Sequence, residues 1–133
     1  MIYRRLTLAQ TRALISRMPF NQHLGIRVAR VHRDGVTVEC PVREEMMNGA
    51  GVLHGGVTAA LADVAVGIAL NRHFGGRRRL TTVEMKVNFF RPVASGKVVA
   101  RSRLIRVGST LCVGRVELFD DQWRDVGAAL VTY

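Results

Sequence analysis

With two cysteines, three prolines and a single tryptophan in 133 residues, this chain has few of the devices that staple or break small proteins. Cys40 and Cys112 lie far apart in strand-like segments and form no CxxC pair, so they read as small buried hydrophobes rather than a redox couple. The four histidines, His23, His32, His54 and His73, fit neither HExxH nor an i, i+4 pair, and no metal site is expected. Scarce proline beside 48% apolar residues argues against a disordered or low-complexity chain. No apolar run is long enough to span a bilayer, and the opening MIYRRLTLAQTR lacks the apolar centre of a signal peptide. A cytoplasmic protein is the expectation.

Acidic residues are also few: ten against twenty Lys and Arg, a net charge of +10. Three readings of that excess stay open: a solvated basic surface, a field steering a phosphorylated small molecule, or nucleic-acid binding. The arginines are scattered, with only Arg77-Arg78-Arg79 in a run, and no aromatic-rich RNA-binding segment or zinc-finger spacing supports the third.

What is present is periodicity. Thr7-Leu8-Ala9-Gln10 has the Thr-x-x-Gln form of a capping box, and Ala9, Ala13, Leu14 and Met18 follow at helical spacing until Pro19 stops the helix. β-branched residues from Gly25 to Val31 and from Val36 to Val42 flank an Arg33-Asp34-Gly35 turn, which predicts a hairpin. A loop from Arg43 to Leu53 leads into an apolar helix from about Gly55 to Phe74, ended by Gly75-Gly76. Beyond it Val83, Met85, Val87 and Phe89 alternate with Thr82, Glu84, Lys86 and Asn88, the clearest strand in the chain. Turns at Arg91-Pro92 with Ser95-Gly96, at Gly108-Ser109 and at Asp120-Asp121 place strands near 97–106, 110–119 and 123–132, joined as antiparallel hairpins. One domain of class α+β follows, in which a strongly curved antiparallel sheet encloses the apolar helix.

That helix carries one carboxylate, Asp63, about eight residues inside it and too far along to cap its start. Removing an ionised carboxylate from water costs several kcal/mol unless it is paired or hydrogen-bonded, so an arginine pair, an interface hydrogen bond or a chemical role are the alternatives. Ala59, Ala60 and Gly67, one turn away, leave room beside it for a ligand or another chain. At the entrance, His54-Gly55-Gly56 precedes a first turn whose N–H groups lack partners and can hold a carbonyl oxygen as it gains charge. Gly56 and Asp63 are seven residues apart, roughly 11 Å at about 1.5 Å per residue. Acid–base chemistry needs about 3 Å, so one helix cannot supply both groups to one substrate; a two-fold dimer that faces Asp63 of one copy with the entrance of the other can.

Several motifs together resemble the hotdog-fold thioesterases, in particular the PaaI-like acyl-CoA thioesterases. They are Asn48, Gly51, His54-Gly55-Gly56 and Asp63 in the pattern N-x-x-G-x-x-H-G-G-x6-D, then Thr82-Val83-Glu84-Met85-Lys86-Val87-Asn88-Phe89 and Arg91-Pro92-Val93-x-x-Gly96. The similarity runs from about Leu24 to Tyr133. It implies a single hotdog domain over 1–133, with an N-terminal helix in 1–20 and the hotdog core in 21–133. It also implies a dimer joining two sheets, pairing further into a dimer of dimers, with sites at the subunit interface. In this likeness Asp63 matches the catalytic carboxylate and Gly55 the backbone donor to the thioester oxygen; Asn48 and His54 line or order the site, and Thr82 positions water or the carboxylate.

The implied reaction is hydrolysis of an aromatic, phenylacetyl-like, or medium-chain acyl-CoA. It needs no cofactor, coenzyme A being part of the substrate. Gly56, Arg77, Arg78, Arg91, Lys97 and Arg106 are the expected substrate contacts, with Arg79 beside them, because arginine's planar donor fork suits phosphate. Neither nucleic acid nor membrane is an expected partner. The alternative is an acyl-CoA sensor or carrier of the same fold that binds the thioester and leaves it intact.

Overall fold

Alternation of apolar and polar residues builds a sheet with one dry face, and that face closes on a single long helix. The computed structural model describes residues 2–133. Its elements, in chain order, are α1 (Leu8–Ile15), α2 (Pro19–Leu24), β1 (Arg27–Val31), β2 (Val36–Pro41), a 3-10 turn (Glu44–Met46), α3 (Gly55–His73), β3 (Glu84–Phe89), β4 (Lys97–Val107), β5 (Cys112–Asp120) and β6 (Asp125–Thr132).

The capping box forms as expected: Thr7 Oγ1 accepts from Gln10 N–H while the Gln10 side chain accepts from Thr7 N–H. The helix ends at Ile15, however, and Pro19 does not merely stop it. Proline's fixed φ suits the first turn of a helix, where its missing N–H is not needed, and Pro19 opens α2. Gly25, expected at the start of a strand, is instead the left-handed C-cap of α2 at φ 71°, and β1 begins at Arg27. The helical region therefore runs to Leu24, past the boundary expected at residue 20.

The six strands form one antiparallel sheet in the order β1-β2-β4-β5-β6-β3. The meander β4-β5-β6 and the hairpin β1-β2 are those the turn residues predicted. The link from β3 to β4 is not a hairpin. β3 lies at the sheet edge on β6, β4 lies between β2 and β5, and the 90–96 segment crosses from edge to centre. It is tied down where Leu53 N–H donates to Val93 C=O at 2.7 Å. Turn residues reveal a change of direction and not the partner that follows it.

On the inner face Val36, Val38, Val98, Val116, Leu118 and Val131 are fully buried against Leu61, Val66, Ile68 and Leu70 of α3. Each such side chain contributes roughly 1.5–3 kcal/mol through burial. Bulges between Val28 and Arg30, Leu104 and Arg106, and Leu118 and Phe119 interrupt the ladders, and bulges increase local twist and bend. At Gly114 the helix comes so close that a Cβ would lie 2.7 Å from Val66 Cγ2. This is the hotdog fold, and it holds the entrance of α3 at the surface while burying its middle.

Candidate functional site

The entrance of α3 is shaped by the loop before it. Asn48 Oδ1 accepts from the N–H groups of Ala50 (2.9 Å) and Val52 (3.3 Å), and its own N–H donates to Val52 C=O at 2.8 Å. The loop is thereby folded on its own side chain, a turn habit of Asn. His54 N–H then donates to Met46 C=O at 2.8 Å, and the His54 ring caps the helix, Nδ1 accepting from Gly56 N–H at 2.8 Å. That contact requires Nδ1 without a proton, so the neutral ring carries its hydrogen on Nε2.

Capping leaves the two glycines unlike. The N–H of Gly56 is engaged by His54, whereas that of Gly55, the first residue of α3, has no partner among the described residues. Gly55 also lines a pocket of about 320 Å³, with Leu53, Phe89, Phe90, Arg91 and Val93 among its other walls. A cleft lined largely by apolar side chains beside the positive end of a 19-residue helix suits a carbonyl oxygen acquiring charge. Of the expected residues, Gly55 and Arg91 meet here.

Asp63 lies two turns further along, partly buried, and does not line that pocket. No Lys or Arg forms an ion pair with it among the described residues. It is held by two hydroxyls instead. Thr82 Oγ1 donates to Asp63 Oδ1 at 2.8 Å, and the Tyr133 hydroxyl lies 2.8 Å from the same oxygen and 3.0 Å from the Asp63 backbone carbonyl. Oδ2 accepts no hydrogen bond within the chain among the described residues.

Tyr133 is the member of this group that sequence reasoning missed. It follows β6, seventy residues from Asp63, and only the sheet order brings it to α3. One signal was available. Gly67, a turn beyond Asp63, offers room in the sequence for a ligand, but the phenol fills that room: a Cβ on Gly67 would lie 2.6 Å from the Tyr133 hydroxyl oxygen. Burial, and after it the hydrogen bond and charge of Asp63, push the phenol's titration well above its ordinary range, although Thr82 opposes this. The hydroxyl therefore keeps its proton.

The expected phosphate contacts scatter. Arg77, Arg78 and Arg79 follow the C-terminal end of α3, opposite the Gly55 entrance. Arg78 donates to Ser109 C=O at 2.9 Å and stacks over the Phe74 ring at 4.7 Å, and Lys97 pairs with Glu39 at 2.8 Å. Arg77, Arg91 and Arg106 are exposed and make no side-chain hydrogen bond or ion pair among the described residues.

One helix thus carries two separated features: Gly55, whose N–H has no partner among the described residues, at the wall of a pocket, and Asp63, whose Oδ2 accepts no hydrogen bond among the described residues. The family model of the thioesterase superfamily matches residues 50–126. The medium/long-chain acyl-CoA thioesterase YigI of Escherichia coli K12 is 31% identical over 131 residues, covering 87% of this chain and 84% of that protein. A crystal structure of a thioesterase from Haemophilus influenzae superposes with a TM-score of 0.87 at 28% identity, covering 99% of this chain and 92% of that one. A mutant of the phenylacetic acid degradation protein PaaI from Thermus thermophilus gives a TM-score of 0.77 at 28% identity, over 86% of this chain and 96% of that one.

Proposed function

The chain belongs to the thioesterase superfamily, and from that premise we propose that it hydrolyses the thioester of an acyl-CoA bearing an aromatic or medium-chain acyl group. The observation that carries this reading is Asp63, a carboxylate kept in an apolar helix with no cation paired to it among the described residues, fastened by Oδ1 and with no donor on Oδ2 among them. A purely structural acid in such a place is expected to be paired, or replaced by an apolar residue.

The site is completed by a second copy. Gly55 and Asp63 of one helix are too far apart for one carbonyl, whereas a two-fold dimer brings Gly55 of one copy to Asp63 of the other. The free edge of β3, with Phe89 55% exposed and Val83 just before the strand 60% exposed, is a surface such a dimer would cover by pairing the two sheets. Phe89 also stands 3.4 Å from where a Gly55 Cβ would be, so that edge adjoins the pocket. Pairing of two dimers into a tetramer is a further part of the proposal.

In the reaction the thioester oxygen accepts from Gly55 N–H. Asp63 Oδ2 of the facing copy takes a proton from water as its oxygen adds to the carbonyl carbon. The tetrahedral intermediate collapses with cleavage of the C–S bond, the free acid forms, and the CoA thiolate leaves and is protonated. In the other route Oδ2 itself attacks, the thiolate leaves, and water hydrolyses the resulting mixed anhydride. Asn48 and His54 hold the entrance in shape, and Thr82 holds the carboxylate. Exposed Arg77, Arg91 and Arg106 are the cations available to the CoA phosphates, more so than Arg78 and Lys97, which are engaged.

Thiol release from a panel of aromatic and straight-chain acyl-CoAs, measured on the wild type and on Asp63→Asn, tests this reading. Hydrolysis by the wild type that falls by several powers of ten in the variant is expected. No hydrolysis by either, with tight acyl-CoA binding by both, would make the protein a sensor or carrier.

A further inference from the structure

We infer that Tyr133 is a positioning residue, which together with Thr82 fastens Asp63 by Oδ1 and so presents Oδ2 to the reacting carbonyl or water. The inference rests on the hydrolytic role proposed for Asp63 and names a residue that role depends on.

Two donors meeting on one carboxylate oxygen leave the group little freedom. Thr82 Oγ1 and Tyr133 Oη are each 2.8 Å from Oδ1, and they approach from different elements, Thr82 just before β3 and Tyr133 just after β6. Turning the carboxylate plane away from the two donors would break both bonds, whichever oxygen they hold. A hydrogen bond to an ionised group is among the strong ones, about twice a neutral pair, so the two together hold one orientation. The phenol is itself anchored. Tyr133 N–H donates to Cys112 C=O at 2.8 Å, and Cys112 N–H returns a bond to Tyr133 C=O at 2.9 Å.

The helix gives way to let the phenol in. Glycine inside a helix is less stable than alanine by about 0.8–1 kcal/mol, yet Gly67 stands in the buried middle of α3 with no turn or positive φ to justify it. What it provides is space: a Cβ there would meet Tyr133 Oη at 2.6 Å and Cζ at 3.1 Å. Alanine at 67 would push the hydroxyl off Oδ1. The small residue in the helix and the tyrosine from the sheet are therefore parts of one arrangement, and its product is an oriented acid.

The test uses the full chain in five forms: wild type, Asp63→Asn, Tyr133→Phe, Gly67→Ala and the Gly67→Ala/Tyr133→Phe double variant, with kcat and KM measured on the best substrate of the panel and thermal unfolding as the check on folding. Tyr133→Phe keeps the ring and loses only the hydroxyl. It is expected to lower kcat about 10- to 100-fold while KM stays within about twofold, the signature of an interaction that matters at the transition state. Gly67→Ala is expected to lower kcat in the same way, and in the Tyr133→Phe background to lower kcat little further, although its Cβ still crowds ring Cζ at 3.1 Å and costs stability. A tyrosine that merely packs would shift unfolding but leave kcat per folded molecule unchanged. If Asp63→Asn is inactive while folded Tyr133→Phe turns over like the wild type, the positioning role is wrong and the thioesterase reading stands. If Asp63→Asn is fully active, or the wild type hydrolyses no acyl-CoA, both fall together.

Discussion

Replacing Gly55 with proline deletes one N–H and little else. Gly55 is the first residue of α3, the position at which proline is most at home in a helix. The residue before a proline must be extended, and His54 already is, at φ −60° and ψ 130°. The atoms nearest a Cβ at 55 belong to the Phe89 ring, at 3.4 Å, an ordinary contact. Because the Gly55 N–H bonds to nothing among the described residues, folding loses no hydrogen bond. Stability is therefore expected to hold or to rise by about 0.4–1 kcal/mol through the stiffer unfolded chain. Catalysis is expected to move the other way. If that N–H holds the thioester oxygen in the transition state, its loss removes about 2.7–4 kcal/mol, or about 100- to 1,000-fold in kcat. Gly55→Ala is the control: it adds the same Cβ, keeps the donor and should stay near wild-type turnover. Thiol release under saturating substrate reads the rate, and thermal unfolding of the same samples reads stability. A folded Gly55→Pro enzyme turning over within about threefold of the wild type would refute the assignment of this N–H.

Three other predictions concern the frame and the surface. Gly114→Ala would drive a Cβ to 2.7 and 2.8 Å from the two methyls of buried Val66, and should destabilise the fold by about 1–3 kcal/mol in denaturant melts; Gly49→Ala, where a Cβ meets nothing within 4 Å, should not. At Asp120, 3% exposed, burial pushes the carboxyl up, but the N–H groups of Arg124 and Gln122 and the Arg124 guanidinium outweigh it and hold it below its ordinary 3.8. Its contribution is thus complete above the unfolded value and lost as pH falls through the depressed one. Urea midpoints of the wild type should drop across that acid range more than those of Asp120→Asn. Added salt should raise KM for acyl-CoA and leave kcat unchanged, since screening reaches exposed arginines and phosphates first; a salt-independent KM would argue against phosphate steering.

What could be read before the structure was local, and what could not was pairing. The lone carboxylate stood out because α3 is apolar on nearly every side, and an acid there violates the pattern around it. The His54 cap was visible as a feature but not in its consequence, since only the Nδ1 contact to Gly56 tells which of two adjacent glycines keeps a free N–H. Pro19 was ambiguous, because the same ring that ends one helix begins the next. The alternation from Val83 to Phe89 identified a strand and was silent on its place at the sheet edge, which depends on β6 about forty residues later. Tyr133 was hidden for the same reason: a contact made through sheet order leaves no mark in spacing. Its trace lay in the missing side chain of Gly67, which a sequence presents as space without naming what enters it.

The proposed division of the site between two copies makes a prediction that no single-chain arrangement shares. Asp63→Asn retains an intact Gly55 entrance, and Gly55→Pro retains an intact Asp63. In a mixed dimer of the two, one site joins the good entrance of one copy to the good carboxylate of the other, while the second site collects both lesions. Each variant alone places a lesion in every site and is expected to be nearly inactive. Mixed one to one under conditions that let subunits exchange, half the dimers become mixed and each of those regains one site of two, so activity should return to about a quarter of the wild type per chain. If Gly55 and Asp63 of the same chain served one substrate, every site in every dimer would still carry a lesion and mixing would restore nothing. The roughly 12 Å that eight residues of α3 set between Gly55 and Asp63 favours the first outcome, because proton transfer or attack on a carbonyl held at Gly55 must occur within about 3 Å.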